Sequence, residues 1–405
     1  MFDGFWHVLG HRIWVVGALP AVNPGDRVVP YKVKLNRRMS WLCLLTFVQM
    51  VGCLQAVRAQ TPRIAIITEL SGPNAAIGDE CRAGAEVAGR YLAPKTEPVE
   101  LVYGDSQDEV RVAVSEFNRF AADPRVLAVV VSRSKTAIPL NPLSARSSIA
   151  LFATAAHPAL LSGNPIALRA YLNARVEGEF LARHAFRLGY KRIAMVTVED
   201  EWNQSFSEAF QTELERLGGS IVLKESIQPS VVDMRSFVGR IRPLSPDAVF
   251  VNLQVSQAGP FIKRLREAGV TARLLSNYWV QKEDVTAAAG HAAVEGVLFG
   301  EVDSDSPKYL EMFRNDFPQA RSTAAAYICY VAVAAAIETI GRIEGTLTRE
   351  SVAQSVKEVQ SIRLMDGNLK VIDREIQFPM RLYQLQQGKR SLAPASSLSA
   401  NDDAG

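Results

Sequence analysis

"RIAIITELSGPNAAIGDECRAGAEVAGRYL" runs from Arg63 to Leu92. An apolar run stops at a Ser-Gly-Pro turn, a second glycine follows, and apolar residues then recur at three- and four-residue intervals. That order reads as strand, loop and helix. A glycine-rich loop ahead of a helix often cradles phosphate on its backbone N–H groups. The spacing here argues against phosphate. A P-loop puts four residues between its glycines and then Lys-Ser/Thr, whereas five residues separate Gly72 from Gly78 and the acidic pair Asp79-Glu80 follows. The G-x-G-x-x-G pattern of dinucleotide sites is absent too. The loop calls for a ligand without phosphate, or for none.

Outward from this stretch the design repeats. Val- and Ile-rich runs bounded by turn residues read as buried parallel strands: "RIAIIT", "VELVYGD", "VLAVVV", "IALFA", "RIAMVTV", "IVLKESI", "AVFVNL" and "RLLSN". Amphipathic stretches between them, among them Cys81–Leu92, Arg111–Ala122, Gly178–Leu188, Phe206–Leu217 and Ala258–Ala268, read as helices. "YKRIAMVTVEDEWNQSFSEAFQTELERLGG" restarts the opening design about 130 residues later. The fold class is therefore α/β, with two doubly wound parallel-sheet lobes in succession. Each lobe carries its loops at the carboxyl ends of its strands, where open α/β sheets bind ligands.

The 405 residues are 48% apolar and 21% charged, as in soluble globular proteins. The net charge of +3 comes from the N-terminus: residues 1–59 hold seven Lys/Arg against Asp3 and Asp26, so the rest is slightly acidic and offers no basic field for nucleic acid. Lys32, Lys34, Arg37 and Arg38 precede an uncharged run, Met39 to Val57, closed by "AVRAQ" with small residues in the signal-peptidase places. A signal peptide cleaved after Ala59, and thus export to the periplasm, is expected. A membrane anchor and lipid attachment at Cys53 are the alternatives. Residues 1–31 fit neither leader nor domain and are consistent with a start upstream of the true one, for example Val33.

Cys43 and Cys53 leave with the leader. Cys81 and Cys329 then sit in apolar helical patterns, where cysteine is usually a small buried hydrophobe; export permits a bond between them, but the sequence does not show one. The tail from residue 389, small and polar, reads as disordered.

Catalytic chemistry is missing. His157, His184 and His291 are not spaced as metal ligands, and His184 in "LARHAFRL" reads as a solvated or satisfied imidazole. No G-x-S-x-G elbow occurs. Glu199, Asp200 and Glu201 in "VEDEW" read as a solvated rim rather than a glycosidase pair. No catalytic residue, metal or cofactor is assigned, and the chain reads as a non-enzyme.

"LSGPNAAIGDECRAGAEVA" resembles the first βα unit of type I periplasmic solute-binding proteins of the branched-chain amino-acid class, the receptors of ABC importers. Ser71-Gly72-Pro73, Gly78, Gly84 and Ala88 carry the likeness, which continues through "FATAAHPAL", "LRAY", "KRIAMV", "DAVFVNL", "IKRLREAG" and "AAVEGVLFG" over almost all of 62–387. The resemblance implies two lobes joined by three crossovers, near Ala170–Asn173, Phe299–Val302 and Met365–Ile372. Lobe 1 would be 60–172 plus 302–368, and lobe 2 would be 173–301 plus 369–388. It further implies a monomer that closes on a small-molecule ligand and docks on an inner-membrane permease; a ligand-sensing module of the same fold is the alternative. The family's carboxylate-binding serine falls on Ser134, its backbone contact on Ala155, and its threonine on His157 or Ala156. An aromatic falls on Trp202, a further tyrosine on Gln254, the first-loop aromatic on Ile77, and the ammonium-binding acid on Tyr278. With Lys135 and His157 beside Ser134 and no acid at 278, an organic acid is expected over a zwitterionic amino acid, since a buried ammonium without a counter-charge costs several kcal/mol.

Overall fold

The computed structural model describes residues 7–9, 12–18 and 30–35, and residues 61–394 apart from 73, 94–97, 232 and 321. The leader expected at 39–59 lies outside the described residues. The chain separates into two compact units, 1–60 and 61–405. In the first, Arg12–Ala18 pairs antiparallel with both His7–Leu9 and Pro30–Leu35.

The second unit opens with β1 (Arg63–Thr68), α1 (Ala75–Leu92), β2 (Glu100–Asp105), α2 (Val110–Ala121), β3 (Val126–Ser132), α3 (Ser134–Ser147), β4 (Ala150–Thr154) and β5 (Ala167–Arg169). Next come α4 (Ala174–Arg187), β6 (Arg192–Val198), α5 (Glu201–Arg216), β7 (Ser220–Ile227), α6 (Arg235–Ile241), β8 (Ala248–Asn252), α7 (Val255–Glu267) and β9 (Arg273–Ser276). The chain continues through α8 (Glu283–Ala289), α9 (His291–Val294), β10 (Leu298–Val302), α10 (Pro307–Asp316), α11 (Ala324–Gly341) and α12 (Arg349–Glu358). It ends in β11 (Ser361–Leu364), β12 (Gly367–Ile372), β13 (Glu375–Ile376), β14 (Met380–Gln386) and β15 (Lys389–Leu392).

Two sheets result. The first runs β11-β12-β13-β5-β4-β3-β1-β2 and the second β7-β6-β8-β9-β10-β14-β15. All pairs among β1–β5 and among β6–β10 are parallel. The continuous apolar runs sit where sequence reasoning expects them: every residue of β3 and β8 is buried, because helices cover both sheet faces. At the edges, β2 and β7 mix exposed and buried residues.

The chain changes sheets at 170–173 and again between β10 and α10. The third change falls between Ile376 and Met380, not across 365–372. Those latter residues form instead the β11–β12 hairpin about a two-residue turn, with Leu364 paired to Gly367. The tail expected to be unstructured from 389 begins as β15. Gln387 and Gly388 both take positive φ and turn the strand back on β14, a two-residue hairpin of the primed type. Residues 395–405 lie outside the described residues.

The core of the first half is α11, "AAAYICYVAVAAAIETIG", whose side chains from Ala326 to Ile337 are all buried. A helix apolar all round belongs inside. It lies so close to α1 that a Cβ on Gly84 would stand 1.8 Å from the Ala326 carbonyl oxygen. The same approach brings Cys81 and Cys329 into a disulfide, with Cα atoms 5.1 Å apart. The reading of both cysteines as buried apolar residues holds for burial and misses the bond.

Candidate functional site

The Ser-Gly-Pro turn is held by the protein itself. Ser71 donates from Oγ to Asp105 at 2.5 Å, and the backbone N–H groups of Leu70, Ser71 and Gln107 converge on the other oxygen of the same carboxylate. Burial works against the charged form of Asp105, yet these donors hold its pKa below the usual value. Gly78 lets the first turn of α1 rest on the exit of β1, because a Cβ there would lie 2.0 Å from the Glu69 carbonyl oxygen. The glycines of the opening stretch thus serve close packing.

Most of the remaining polar groups at this edge pair with one another, although one carboxylate oxygen each of Glu69 and Asp108 is buried with no hydrogen bond and faces only Arg133. Ser132 and Thr68 donate to the buried Glu69 carboxylate. Asp108 accepts from Asn74 at 2.9 Å and faces Arg133 at 3.4 Å and Lys135 at 3.7 Å. Lys135 also donates to the Asp108 carbonyl, so its ammonium turns to the β2–α2 loop, away from the anion-receiving role expected beside Ser134. Ser134 is the first residue of α3, and its Oγ accepts the His157 N–H at 3.3 Å. Arg169, fully buried at the end of β5, donates to the carbonyls of Ala155 and Pro158 and pairs with Glu375. It fixes the loop carrying Ala155 and His157.

His157 is the link to the second half. One ring nitrogen accepts from Ala159 N–H and the other meets the carboxylate of Glu201, the first residue of α5. Asp200 caps that helix through Asn203 N–H at 3.0 Å. Glu199 accepts from the Gln228 side chain, so all three acids of "VEDEW" have structural partners. Beside Glu201, the Trp202 ring packs on Tyr278 at 5.8 Å and on Trp279 at 5.0 Å. Asn277, buried, donates to Asn252 and to the Leu253 carbonyl, which brings the Gln254 loop alongside. Tyr278 lies beside Tyr171 of the first crossover, and burial pushes its phenol up to about 12. Ser134, His157, Trp202 and Tyr278 thus lie on one chain of contacts spanning both sheets. Gln254 adjoins it, while Ile77, half-buried in α1, has no polar contact to it among the described residues.

Sequence reasoning missed an acid here. Glu177, on the first turn of α4, is 3% exposed and accepts the Trp202 indole N–H at 3.1 Å. Burial, reinforced by the negative charge of Glu301 and only partly offset by Trp202, pushes its pKa up to about 8. Glu301 on β10 is itself buried, but it holds Arg390 at 2.6 Å and Gln281 at 2.7 Å. The premise that this part of the molecule lacks a carboxylate does not stand. The signal was present: Glu177 falls on the buried stripe of α4 with Ala174, Gly178 and Leu181.

The sequence pattern of the family described as periplasmic binding protein matches residues 61–390. The chain belongs to the periplasmic binding protein family. Its relatives are binding proteins, not enzymes, and so is this chain; the family implies a location outside the cytoplasm. An amino acid binding protein of Pseudomonas aeruginosa is 27% identical over 75% of this chain and 86% of its own length. A Streptococcus pneumoniae branched-chain amino acid transporter binding protein, solved with isoleucine, superposes with a TM-score of 0.70 at 17% identity, over 82% of this chain and 98% of its own. A Rhodopseudomonas palustris solute binding protein of an ABC transporter, solved with 3,4-dihydroxybenzoic acid, gives 0.66 at 16% identity, over 80% and 93%. The type I periplasmic binding protein fold is thus common to relatives that take amino acids and to relatives that take aromatic acids.

Proposed function

We propose that this periplasmic binding protein, exported through its leader, captures one small organic acid or amino-acid-like solute between its two sheet edges and delivers it to an ABC importer. The observation that carries the reading is the run of contacts from Ser134 through His157 and Glu201 to the aromatic wall of Trp202, Tyr278 and Trp279. A hydroxyl at the start of a helix suits a carboxylate, and flat rings suit an apolar body. The two faces belong to different sheets, so a solute touching both favours the closed arrangement, and hinge closure is the common device for such capture. The ligand has no covalent step to undergo, and the closed form is what a permease would recognise.

Thermal denaturation of the purified protein with leucine, isoleucine, phenylalanine, benzoate and 4-hydroxybenzoate tests this. A specific solute at about 100 times its Kd adds about 2.7 kcal/mol to stability, and deletion of the gene should abolish cellular uptake of that solute. Stabilisation by none of the five, or uptake untouched by the deletion, contradicts the proposal.

A further inference from the structure

We propose that Glu177, reaching the aromatic wall from α4, is the group that receives a protonated amine of the solute, so that the ligand carries a cationic nitrogen beside its apolar body. This rests on the solute-binding reading above and adds to it a ligand chemistry and a named receiving residue.

The cations around α4 are paired elsewhere. Arg183 of α4 pairs with Glu213 of α5 and with Glu179. Arg381 of β14 pairs with Asp303, and Arg390 of β15 with Glu301. Every cation on the elements packed against Glu177 for which an ion pair is described is committed to another acid. Among the described residues, the Glu177 carboxylate has a hydrogen bond from Trp202 and no ion pair. The remaining groups that act on it, Tyr171, Tyr278 and Glu301, are neutral phenols or a like charge. A carboxylate nine-tenths buried without a cation is held neutral or waits for one.

The geometry points to both in turn: neutral without ligand, paired with a cation once one arrives. Trp202 bonds Glu177 through its ring N–H and lies against Tyr278 and Trp279 with the same ring. A nitrogen reaching Glu177 therefore sits at the edge of three aromatic rings, whose faces also attract cations. The acid comes from the crossover-side helix rather than from the loop after β9, where Tyr278 stands. Because the ligand-free carboxyl binds a proton at neutral pH, capture of an ammonium ionises Glu177 and sends that proton to solvent. Ligand binding and proton release are then coupled.

Calorimetric titrations of the purified protein at pH 7, in two buffers of different ionisation enthalpy, test this with leucine and phenylalanine against their deaminated counterparts, 4-methylpentanoate and 3-phenylpropanoate. The amino compound is expected to bind at least about thirtyfold tighter than its counterpart and to release nearly one proton. Glu177→Gln, a near-isosteric stand-in for the neutral acid, should keep the ligand-free melting temperature at pH 6 while losing both the preference and the proton release. An acid that binds as tightly as its amino counterpart overturns the assignment, and so does a Glu177→Gln protein that keeps the preference. In either case the solute-binding reading survives. Binding by neither class contradicts that reading as well as this one.

Discussion

The two sheet edges that meet at His157 and Glu201 differ in how they use their polar groups. On the first, the carboxyl groups of Asp105, Asp108 and Glu69 each face donors supplied by the protein, Ser71, Asn74, Ser132 and Arg133, with one oxygen each of Glu69 and Asp108 left to Arg133 alone. On the second, Glu177 lies among Trp202, Tyr278 and Tyr171 with one indole N–H for company. The first edge spends its hydrogen bonds on holding loops in place. The second holds a buried carboxyl that, among the described residues, faces no cation. Polar residues that stand out in a sequence are thus a poor guide to which group is available for a ligand; availability depends on what is left over once the loops are fixed.

The contrast can be broken at several points. The largest effect should follow loss of the Cys81–Cys329 bond, which closes a loop of 248 residues in the half built on the first sheet. Reduction, or Cys329→Ser, should cost about 3 to 5 kcal/mol in denaturant unfolding; a loss below about 1 kcal/mol would mean that the α1–α11 packing alone suffices. Nearly as large is Arg169→Met, which leaves the carbonyls of Ala155 and Pro158 and the Glu375 carboxylate without their donor. About 3 kcal/mol is expected, together with faster hydrogen exchange in 155–161; unchanged exchange there would mean the loop is held by other contacts.

Glu177 gives an effect with a definite sign. Its folded pKa is raised to about 8 from an ordinary 4.5, so the folded state binds a proton that the unfolded state has already released. The ligand-free protein should therefore lose stability through this group as pH rises from about 4.5 to 8, by roughly 2 kcal/mol or more. Glu177→Gln should flatten that part of the stability profile, and a profile identical to wild type would show that Glu177 is ionised and paired after all. The smallest effect belongs to the link between the edges. Glu201 is 79% exposed, so Glu201→Gln should change unfolding stability by less than about 1 kcal/mol; a larger loss would make this pair a main support of the closed arrangement.

Much of the fold is legible in the chain because its strands are continuous apolar runs, and burial on both faces leaves little ambiguity about them. α3 is not legible in the sequence, because Pro139 and Pro142 stand inside it. The β11–β12 hairpin hides in Met365-Asp366-Gly367, inside the stretch that the family resemblance assigns to a crossover, and the β14–β15 hairpin turns at Gln387-Gly388, just ahead of the tail expected to be unstructured. The disulfide could not be seen, since the contact of α1 with α11 depends on Gly84 meeting a backbone 242 positions away. In the candidate site, aligned positions led to Ser134, Trp202 and Tyr278, which the structure brings onto one run of contacts. They could not lead to Glu177, because it stands where the family resemblance assigns nothing; its place on the apolar stripe of α4 was the physical clue.

The most direct measurement is a crystal structure of the protein with whichever of leucine or phenylalanine stabilises it more. The solute should touch Ser134 on one side and Trp202 on the other, with its nitrogen within hydrogen-bond distance of Glu177. A solute bound elsewhere, or one in this position whose nitrogen turns away from Glu177, would contradict it.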